Sequence, residues 1–173
     1  MTWIVGAASL LLIAIYPFMK RITWWPQFFL GLAFSWGALL GWSAQVESIG
    51  LPALLLYAGT ICWVIGYDTI YALQDVEDDA LIGVKSTARL FGENVRPAVA
   101  LFYAAAVGLW TTAALVAGAG VPFLLALAVP AGLLAWQLVT LDRTAPDNAR
   151  FRFWINGWVG LALTGALLLD VFL

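Results

Sequence analysis

The chain has 173 residues, of which 64% are hydrophobic and 10% are charged, and its formal net charge is −2. A mean hydropathy of +0.95 excludes a soluble globular domain and indicates an integral membrane protein. The chain contains no histidine and a single cysteine, which excludes histidine-based acid–base catalysis, a zinc site and a disulfide framework. We expect no nucleic-acid partner.

Six apolar runs follow one another along the chain, and most approach the roughly 20 residues that a helix needs to span a bilayer. Their unbroken Leu, Ala, Gly and Trp content differs from the alternating pattern of transmembrane barrel strands. The sequence therefore predicts an all-α, multi-pass membrane bundle of six transmembrane helices without a soluble domain. The runs cover residues 3–16, 28–44, 51–67, 98–117, 121–141 and 153–173.

The first run is short, and Met1–Trp3 lead directly into it without the basic segment of a signal peptide. We expect the chain to begin inside or just before a helix, as a fragment of a longer protein would. Trp24 and Trp25 lie beside Lys20 and Arg21, a combination that is typical of the headgroup boundary of a membrane.

Small residues and one proline carry local predictions within the runs. Gly37 and Gly41 of the second run are four residues apart, a spacing that lets transmembrane helices approach closely, so we expect them to pack against a neighbouring helix. Pro130 interrupts the fifth run and predicts a kink, because proline removes a backbone N–H and its ring clashes with the preceding turn. Cys62 is interpreted as a small packing residue.

The basic residues alternate along the connections between the runs. All eight Lys and Arg residues lie in three connections, and the connections near residues 45–50 and 118–120 contain none. This alternation fits six spans in register, and the positive-inside rule places the basic connections in the cytoplasm and both termini on the outer side. The basic connections contain Lys20 and Arg21, then Lys85, Arg89 and Arg96, then Arg143, Arg150 and Arg152.

The end of the third run carries a concentrated set of carboxylates. If this segment is one α-helix, Asp68, Asp75 and Asp79 fall within about 20° of one azimuth. Like charges so arranged repel each other unless a cation neutralises them, and oxygen ligands without His or Cys suit Mg²⁺ bound together with phosphate oxygens. Asp75 and Asp79 are one turn apart and are the expected Mg²⁺ ligands. Asp68, about 10 Å away along the axis, is expected to bind a second cation or to orient substrate.

The alternative is that residues 75–79 form a solvated loop. Against it, Asp68 follows directly on an apolar run, and a charge at membrane depth usually has a function. Lys85 and Arg89 follow within a short helix that Ser86 or Thr87 is expected to cap and Gly92 to end. Two cations facing an acidic metal cluster are what a diphosphate needs. The pattern is not that of an EF-hand.

Two segments resemble motifs of a known family. Residues 67–79 read YDTIYALQDVEDD and residues 83–88 read GVKSTA, which resembles the second aspartate-rich motif of the UbiA superfamily of membrane prenyltransferases. Residues 16–21 read YPFMKR, which is similar to the Tyr-x-x-x-Lys motif of that family, and Pro26-Gln27 extends the match. Within the superfamily the pattern is most similar to the 4-hydroxybenzoate polyprenyltransferases.

The first aspartate-rich motif of that family, Asn-Asp-x-x-Asp-x-x-x-Asp, has no counterpart in this sequence. Family members have about nine spans, so the resemblance implies that the six runs are the last six helices of a nine-helix UbiA-type fold. Residues 1–173 are then a single transmembrane prenyltransferase domain that is incomplete at its N-terminal side, and half of the metal site lies outside it.

The resemblance implies Mg²⁺-dependent transfer of a polyprenyl group from polyprenyl diphosphate to the ring carbon ortho to the hydroxyl of 4-hydroxybenzoate, in ubiquinone biosynthesis. It implies a bacterial inner membrane with the aspartate loop in the cytoplasm and membrane lipid around the helices. Asp75 and Asp79 would hold Mg²⁺ and diphosphate, with Asp68 at a second cation. The residues expected to bind diphosphate or orient the aromatic acid are Tyr16, Lys20, Tyr71, Lys85 and Arg89.

Several alternatives stay open at this point. Arg89 is equally explained as a topology-setting charge, and Tyr71 as a packing residue. The acceptor of a sibling prenyltransferase can be another aromatic compound or a lipid. Two readings from other classes are a cation transporter and a catalytically silent membrane scaffold. Transporters more often carry ionisable groups near the bilayer midplane, whereas the interiors of these runs are almost free of charge.

Overall fold

A computed structural model describes residues 1–172, and this part of the chain contains ten α-helices and no β-strand. Two short 3₁₀ segments, Ala72–Asp75 and Gly92–Asn94, join helices on the side of the predicted site. The helices are α1 (Thr2–Ile22), α2 (Pro26–Phe34), α3 (Trp36–Val46), α4 (Leu51–Tyr71), α5 (Val76–Leu81), α6 (Thr87–Phe91), α7 (Val95–Val116), α8 (Val121–Ala126), α9 (Ala128–Val139) and α10 (Pro146–Phe172).

Within residues 1–172, six helical stretches are long and apolar enough to cross a membrane, which confirms the predicted number of spans. The fold is therefore an all-α membrane bundle, as the composition predicts. The first span differs from its apolar run, because α1 continues through Pro17 to Ile22. The stretches are Thr2–Ile22, Pro26–Val46, Leu51–Leu81, Thr87–Val116, Val121–Val139 and Pro146–Phe172.

The three basic connections meet at one end of the bundle. The backbone N–H of Lys85 donates to the carbonyl of Lys20 at 2.9 Å, and Arg143 forms a salt bridge with Glu93 at 2.9 Å. The end of α1, the segment between α5 and α7, and the α9–α10 connection are thus in contact. Six spans that alternate in direction place every second connection at the same end of the bundle. The three basic connections, which alternate along the sequence, therefore lie together in the fold.

Helices α4 and α7 form the centre of the bundle through glycines that admit large aromatic rings. A Cβ at Gly59 would lie 2.8 Å from Cδ1 of Trp110, and one at Gly66 would overlap the ring of Tyr103. Both rings are buried. Because lipid removes most of the hydrophobic driving force between helices, close packing at small residues is what stabilises such a pair.

In the second span the close helix contact is at Gly31 and not at Gly37 and Gly41, the pair whose four-residue spacing suggested it. Within residues 1–172 no side chain or neighbouring backbone lies within 4 Å of a Cβ at Gly37 or Gly41, whereas a Cβ at Gly31 would lie 3.1 Å from Cγ2 of Ile61. The expected helix contact at Gly37 and Gly41 is therefore wrong. The physical reason is the interruption of this span at Ser35, which leaves α2 against α4 and turns both glycines of α3 away from a neighbour.

The fifth span is interrupted close to the predicted proline. Helix α8 ends at Ala126 and α9 begins at Ala128. Pro130 has no N–H for the carbonyl of Ala126 and its ring crowds that turn, so the chain breaks one turn before the proline. This confirms that the fifth span is interrupted near Pro130. At the other end of α8, Oδ1 of Asp170 accepts hydrogen bonds from the N–H groups of Gly120 at 2.9 Å and Phe123 at 3.3 Å.

A network of neutral polar groups joins four helices inside the bundle. Nε1 of Trp63 donates to Oδ1 of Asn156 at 2.7 Å, and Nδ2 of Asn156 donates to Oε1 of Gln137 at 3.1 Å. The Tyr103 hydroxyl donates to the same Gln137 oxygen at 3.1 Å. Polar groups in a lipid environment need protein partners, so this network fixes how α4, α7, α9 and α10 pack.

Candidate active site

The predicted aspartate motif does not lie on one continuous α-helix. Helix α4 ends at Tyr71, residues 72–75 form a 3₁₀ turn, and α5 begins at Val76. A 3₁₀ segment advances about 120° per residue instead of 100°, so the alignment of Asp68 with Asp75 and Asp79 on one helix face is wrong. Asp75 and Asp79 remain about one turn apart, because Asp75 directly precedes α5 and Asp79 is the fourth residue of that helix.

The Tyr-x-x-x-Lys motif approaches the aspartates from the end of α1. Tyr16 and Lys20 are one helical turn apart in α1, and Tyr16 packs with Tyr67 beside Asp68. The charge of Lys20 acts on both Asp68 and Asp79. The two motifs that lie far apart in the sequence are thus brought together, and the continuation of α1 through Pro17 is what places Tyr16 and Lys20 on the same side.

Lys85 belongs to the loop that closes over the end of α1. Its Nζ donates to the carbonyl of Ile22 at 3.1 Å, in addition to the backbone bond to Lys20. The ammonium group therefore lies where the negative end of the α1 dipole attracts a cation. This contact ties the loop after α5 to the Tyr-x-x-x-Lys segment and keeps the Lys85 side chain beside the predicted site.

Arg89 also stabilises the loop between α5 and α6, through contacts that differ from those of Lys85. Its Nη1 donates to the carbonyls of Asp79, at 3.3 Å, and of Val84. Its guanidinium carbon lies 5.3 Å from the centre of the Trp24 ring. Lys85 and Arg89 thus contact different neighbours and do not form one cationic face. The contacts of Arg89 give it a structural role in addition to the predicted one.

The short helix between these two cations forms as the sequence predicts. Ser86 caps α6, since its Oγ accepts a hydrogen bond from the N–H of Arg89 at 3.3 Å. Gly92 ends the helix with φ +50°, a backbone conformation that glycine adopts at little cost. The cap and the end residue of this helix are therefore confirmed.

Sequence reasoning did not predict the contacts of three buried polar residues of the site: Gln27, Thr69 and Thr87. Oε1 of Gln27 accepts the N–H of Thr87 at 3.0 Å, and the hydroxyl oxygens of Thr69 and Thr87 are 2.5 Å apart. One signal was available: all three lie inside the two matched motifs or their extension, and polar residues next to apolar spans require partners in the protein.

Helix α10 supplies an aromatic wall beside Tyr71. The rings of Tyr71 and Phe153 are 4.4 Å apart, and Phe153 also contacts Tyr67 at 5.6 Å between ring centres. A cavity of about 380 Å³ is lined by Trp63, Tyr67, Phe153, Trp154, Asn156 and Gly157. Tyr71 therefore packs on α10 at the edge of an aromatic-walled space, which fits the packing interpretation of this residue.

The carboxylates of the motif form no salt bridge within residues 1–172. In the part of the chain that the structure describes, salt bridges join Arg143 to Glu93 and Arg150 to Asp147, and neither includes a motif aspartate. Residues 1–172 also contain no group of three or more His, Cys, Asp or Glu side chains close enough to hold a metal by themselves. Two carboxylates one turn apart still fit Mg²⁺, which is usually bound by one or two carboxylates with water and substrate phosphates.

A larger cavity of about 620 Å³ lies between the site loops and the α9–α10 connection. Arg89 lines it together with Gln74, Glu77, Asp78, Glu93 and Arg143, whereas Asp68, Asp75 and Asp79 do not. This cavity is thus lined in part by residues of the aspartate motif, but not by the three predicted aspartates.

Comparison with known proteins agrees with the geometry of these loops. A protein of Arabidopsis thaliana named "4-hydroxybenzoate polyprenyltransferase, mitochondrial" is 43% identical over 167 residues, which are 96% of this chain and 41% of that protein. A protein of Bos taurus with the same name is 48% identical over 159 residues, 91% of this chain and 43% of that protein. The chain therefore spans about two-fifths of the length of these curated relatives.

A solved structure shows the same fold. The apo structure of a UbiA homolog from Aeropyrum pernix K1 superposes with a TM-score of 0.77 over 97% of this chain and 63% of that chain, at 24% identity. Residues 1–159 match the UbiA prenyltransferase family. From the matched motifs, their convergence at one end of the bundle and these similarities, the chain belongs to the UbiA prenyltransferase family.

Proposed function

We propose that this chain takes part in the transfer of a polyprenyl group from polyprenyl diphosphate to the ring carbon ortho to the hydroxyl of 4-hydroxybenzoate, in ubiquinone biosynthesis. The observation that carries the proposal is the meeting of Tyr16 and Lys20 with Asp68 and Asp79 at the end of α4. The printed names of the relatives, which share 43–48% of the aligned residues, indicate the acceptor.

The unpaired carboxylates of Asp75 and Asp79 would hold Mg²⁺, and Asp68 would serve a second cation or the orientation of substrate. When bound, Mg²⁺ supplies neutralisation of the charge that develops on the leaving diphosphate. Lys20 and Lys85 add cationic contacts to the same group, and Arg89 keeps their loop in place. Tyr16 orients the aromatic acid from the end of α1.

In the proposed reaction the bond between the allylic carbon and the diphosphate oxygen breaks, and its electron pair leaves with the diphosphate. The ring carbon ortho to the phenol forms the new carbon–carbon bond and then gives its proton to the released diphosphate. The aromatic-walled cavity beside Tyr67 and Phe153 shelters the developing cation from water, and ring faces attract such a cation.

Transfer of a polyprenyl diphosphate onto radiolabelled 4-hydroxybenzoate tests the proposal. Membranes would carry this chain alone, or this chain joined to an upstream segment with the first aspartate-rich motif, because the relatives extend far beyond it. We expect Mg²⁺-dependent product from the joined form. Product with another aromatic or lipid acceptor alone would indicate a sibling enzyme. No divalent-dependent binding of prenyl diphosphate by either inserted form would favour a scaffold or transporter and contradict the proposal.

A further inference from the structure

Gln27 lies at a junction between the two motifs. It is the second residue of α2 and is 3% exposed, so its amide has to find partners within the protein. The carbonyl oxygen Oε1 accepts the N–H of Thr87 at 3.0 Å. Thr87 is the first residue of α6, where backbone N–H groups have no partner within the helix. The Gln27 carbonyl thus anchors the loop that carries Lys85.

The other half of the same amide lies beside the aspartate motif. Gln27 and the Asp68 carboxylate are close enough to interact. Because Oε1 accepts from Thr87, the NH₂ group is the half of the amide that is left for Asp68, and a carboxylate can only accept. One planar amide therefore lies between the Asp68 carboxylate and the start of α6.

A second buried contact fixes the orientation of this junction. Oγ1 of Thr69 lies 2.6 Å from the carbonyl of Ile65, to which it donates its single proton. The bond of 2.5 Å between the hydroxyls of Thr69 and Thr87 is then donated by Thr87. Thr69 and Thr87 are both fully buried. Helix α6 is thus tied to α4 by a side chain and to α2 by its backbone.

We propose that Gln27 is a positioning residue for the reaction: its amide holds the Asp68 carboxylate and the Lys85 loop in the one arrangement that receives a prenyl diphosphate. The inference rests on the proposed function only for the identity of that ligand. Gln27 touches no reacting atom and acts through Asp68 and Thr87, so substitutions that remove one half of the amide separate its two roles.

Two variants of Gln27 make this separation. Gln27→Met keeps the length of the side chain and removes both polar groups. Gln27→Glu keeps an oxygen that accepts the Thr87 N–H and places a second carboxyl group beside Asp68 in place of the amide NH₂. Both variants are compared in detergent micelles or nanodiscs by hydrogen exchange over residues 86–89 and by Mg²⁺-dependent binding of farnesyl diphosphate.

We expect Gln27→Met to speed exchange over residues 86–89 by about tenfold or more, because it leaves a buried N–H without its partner. Gln27→Glu restores exchange to the wild-type rate. Farnesyl diphosphate binding weakens by about tenfold in both variants, since Gln27→Met removes the amide beside Asp68 and Gln27→Glu puts a second carboxyl group there. Gln45→Met is the control: Gln45 is exposed on α3, outside both motifs, and this variant leaves both measurements at wild-type values.

Equal exchange rates in Gln27→Met and wild type, or no rescue by Gln27→Glu, would overturn the anchoring role. Wild-type farnesyl diphosphate affinity in Gln27→Glu would overturn the role toward Asp68. The exchange comparison needs no substrate, so it decides the anchoring role of Gln27 even when the proposed transferase function fails. In contrast, absence of farnesyl diphosphate binding by the wild-type chain, both alone and joined to the upstream segment, with normal exchange behaviour would contradict the function and the Asp68 role, and leave the anchor established.

Discussion

Asp75 and Asp79 can be compared with Asp142, an aspartate outside the matched motifs. Asp142, in the α9–α10 connection, accepts hydrogen bonds from the backbone N–H of Thr144 at 2.9 Å and from its hydroxyl at 2.7 Å. These bonds lower the pKa of Asp142 from its usual value. Asp75 and Asp79 have no ion-pair partner in residues 1–172, although both acidic segments lie at the same end of the bundle.

From this contrast we predict that Asp75→Ala or Asp79→Ala lowers the transfer rate of the joined enzyme by about a hundredfold or more, because each removes a group that stabilises charge in the transition state. Asp142→Ala is the matched control, and its rate stays near that of wild type. The measurement is Mg²⁺-dependent product formation at equal amounts of inserted protein. Near-normal turnover in both motif variants would contradict the assignment of the metal ligands.

Arg89 shows how a residue's role is set by the geometry of its donors. One nitrogen of its guanidinium serves two carbonyls while the plane covers Trp24, and a lysine ammonium cannot reproduce this combination. We therefore predict that Arg89→Lys destabilises the loop of residues 79–92 by about 1–2 kcal/mol, seen as faster limited proteolysis there. Unchanged proteolysis together with unchanged farnesyl diphosphate binding would show that charge alone matters at this position.

At the scale of single residues, sequence reasoning identified the charged members of the site and two tyrosines, and it gave no site role to Gln27 and Thr69. Asp68, Asp75, Asp79 and Lys20 stand out because charges are rare in an apolar chain. Gln27 does not, since nothing in its own sequence context reveals the Thr87 N–H that it meets 60 positions later. Such a partner follows from tertiary packing and not from local pattern.

Among the secondary-structure elements, the long helices were predictable and their interruptions were only partly so. Long apolar runs predict six helical spans, because an unpaired backbone group in lipid is costly and a helix pairs them all. Pro130 predicts the break between α8 and α9. Pro17, in contrast, does not interrupt its helix, because α1 continues through it to Ile22. The 3₁₀ turn at residues 72–75 has no proline or glycine to announce it, and this turn rotates Asp75 and Asp79 relative to Asp68.

The contact between α4 and α7 gives a prediction at this scale. Gly66→Ala is expected to destabilise the bundle by about 1–3 kcal/mol, because the added methyl group overlaps the buried Tyr103 ring. Gly108→Ala is the matched control: it lies in α7, and nothing beyond its own helix is within 4 Å of the new Cβ. Thermal unfolding in detergent measures both, and equal melting temperatures would contradict the close approach at Gly66.

At the scale of the whole molecule, charge placement predicted the arrangement of the chain better than any single motif did. The basic connections were grouped from sequence alone, and contacts such as Arg143 with Glu93 place them at one end. The positive-inside rule acts on the orientation of the complete chain in the membrane. The rule predicts that this end faces the cytoplasm, and this orientation stays a prediction. The relatives compared above are named as mitochondrial proteins.

Orientation is tested with single cysteines in a Cys62→Ser background. We predict that an impermeant maleimide labels Glu77→Cys and Asp147→Cys from one side of sealed membrane vesicles and Ser48→Cys from the other. All three positions are exposed, and in bacterial inner-membrane vesicles the first two should react only when the cytoplasmic face is accessible. Labelling of Ser48→Cys and Glu77→Cys from the same side would contradict the six-span topology.

The carboxylate of Asp170 has a consequence for the order in which the chain is assembled. It lies near the end of the last span, yet it caps the N–H groups at the start of α8, 50 residues earlier. During synthesis the fifth span therefore reaches the membrane before its cap has been made. Until the sixth span has crossed, the N-terminal turn of α8 depends on water or headgroups for hydrogen bonds. The last two spans thus mature as a pair, and a chain stalled between them presents an unfinished helix end to the membrane quality-control machinery.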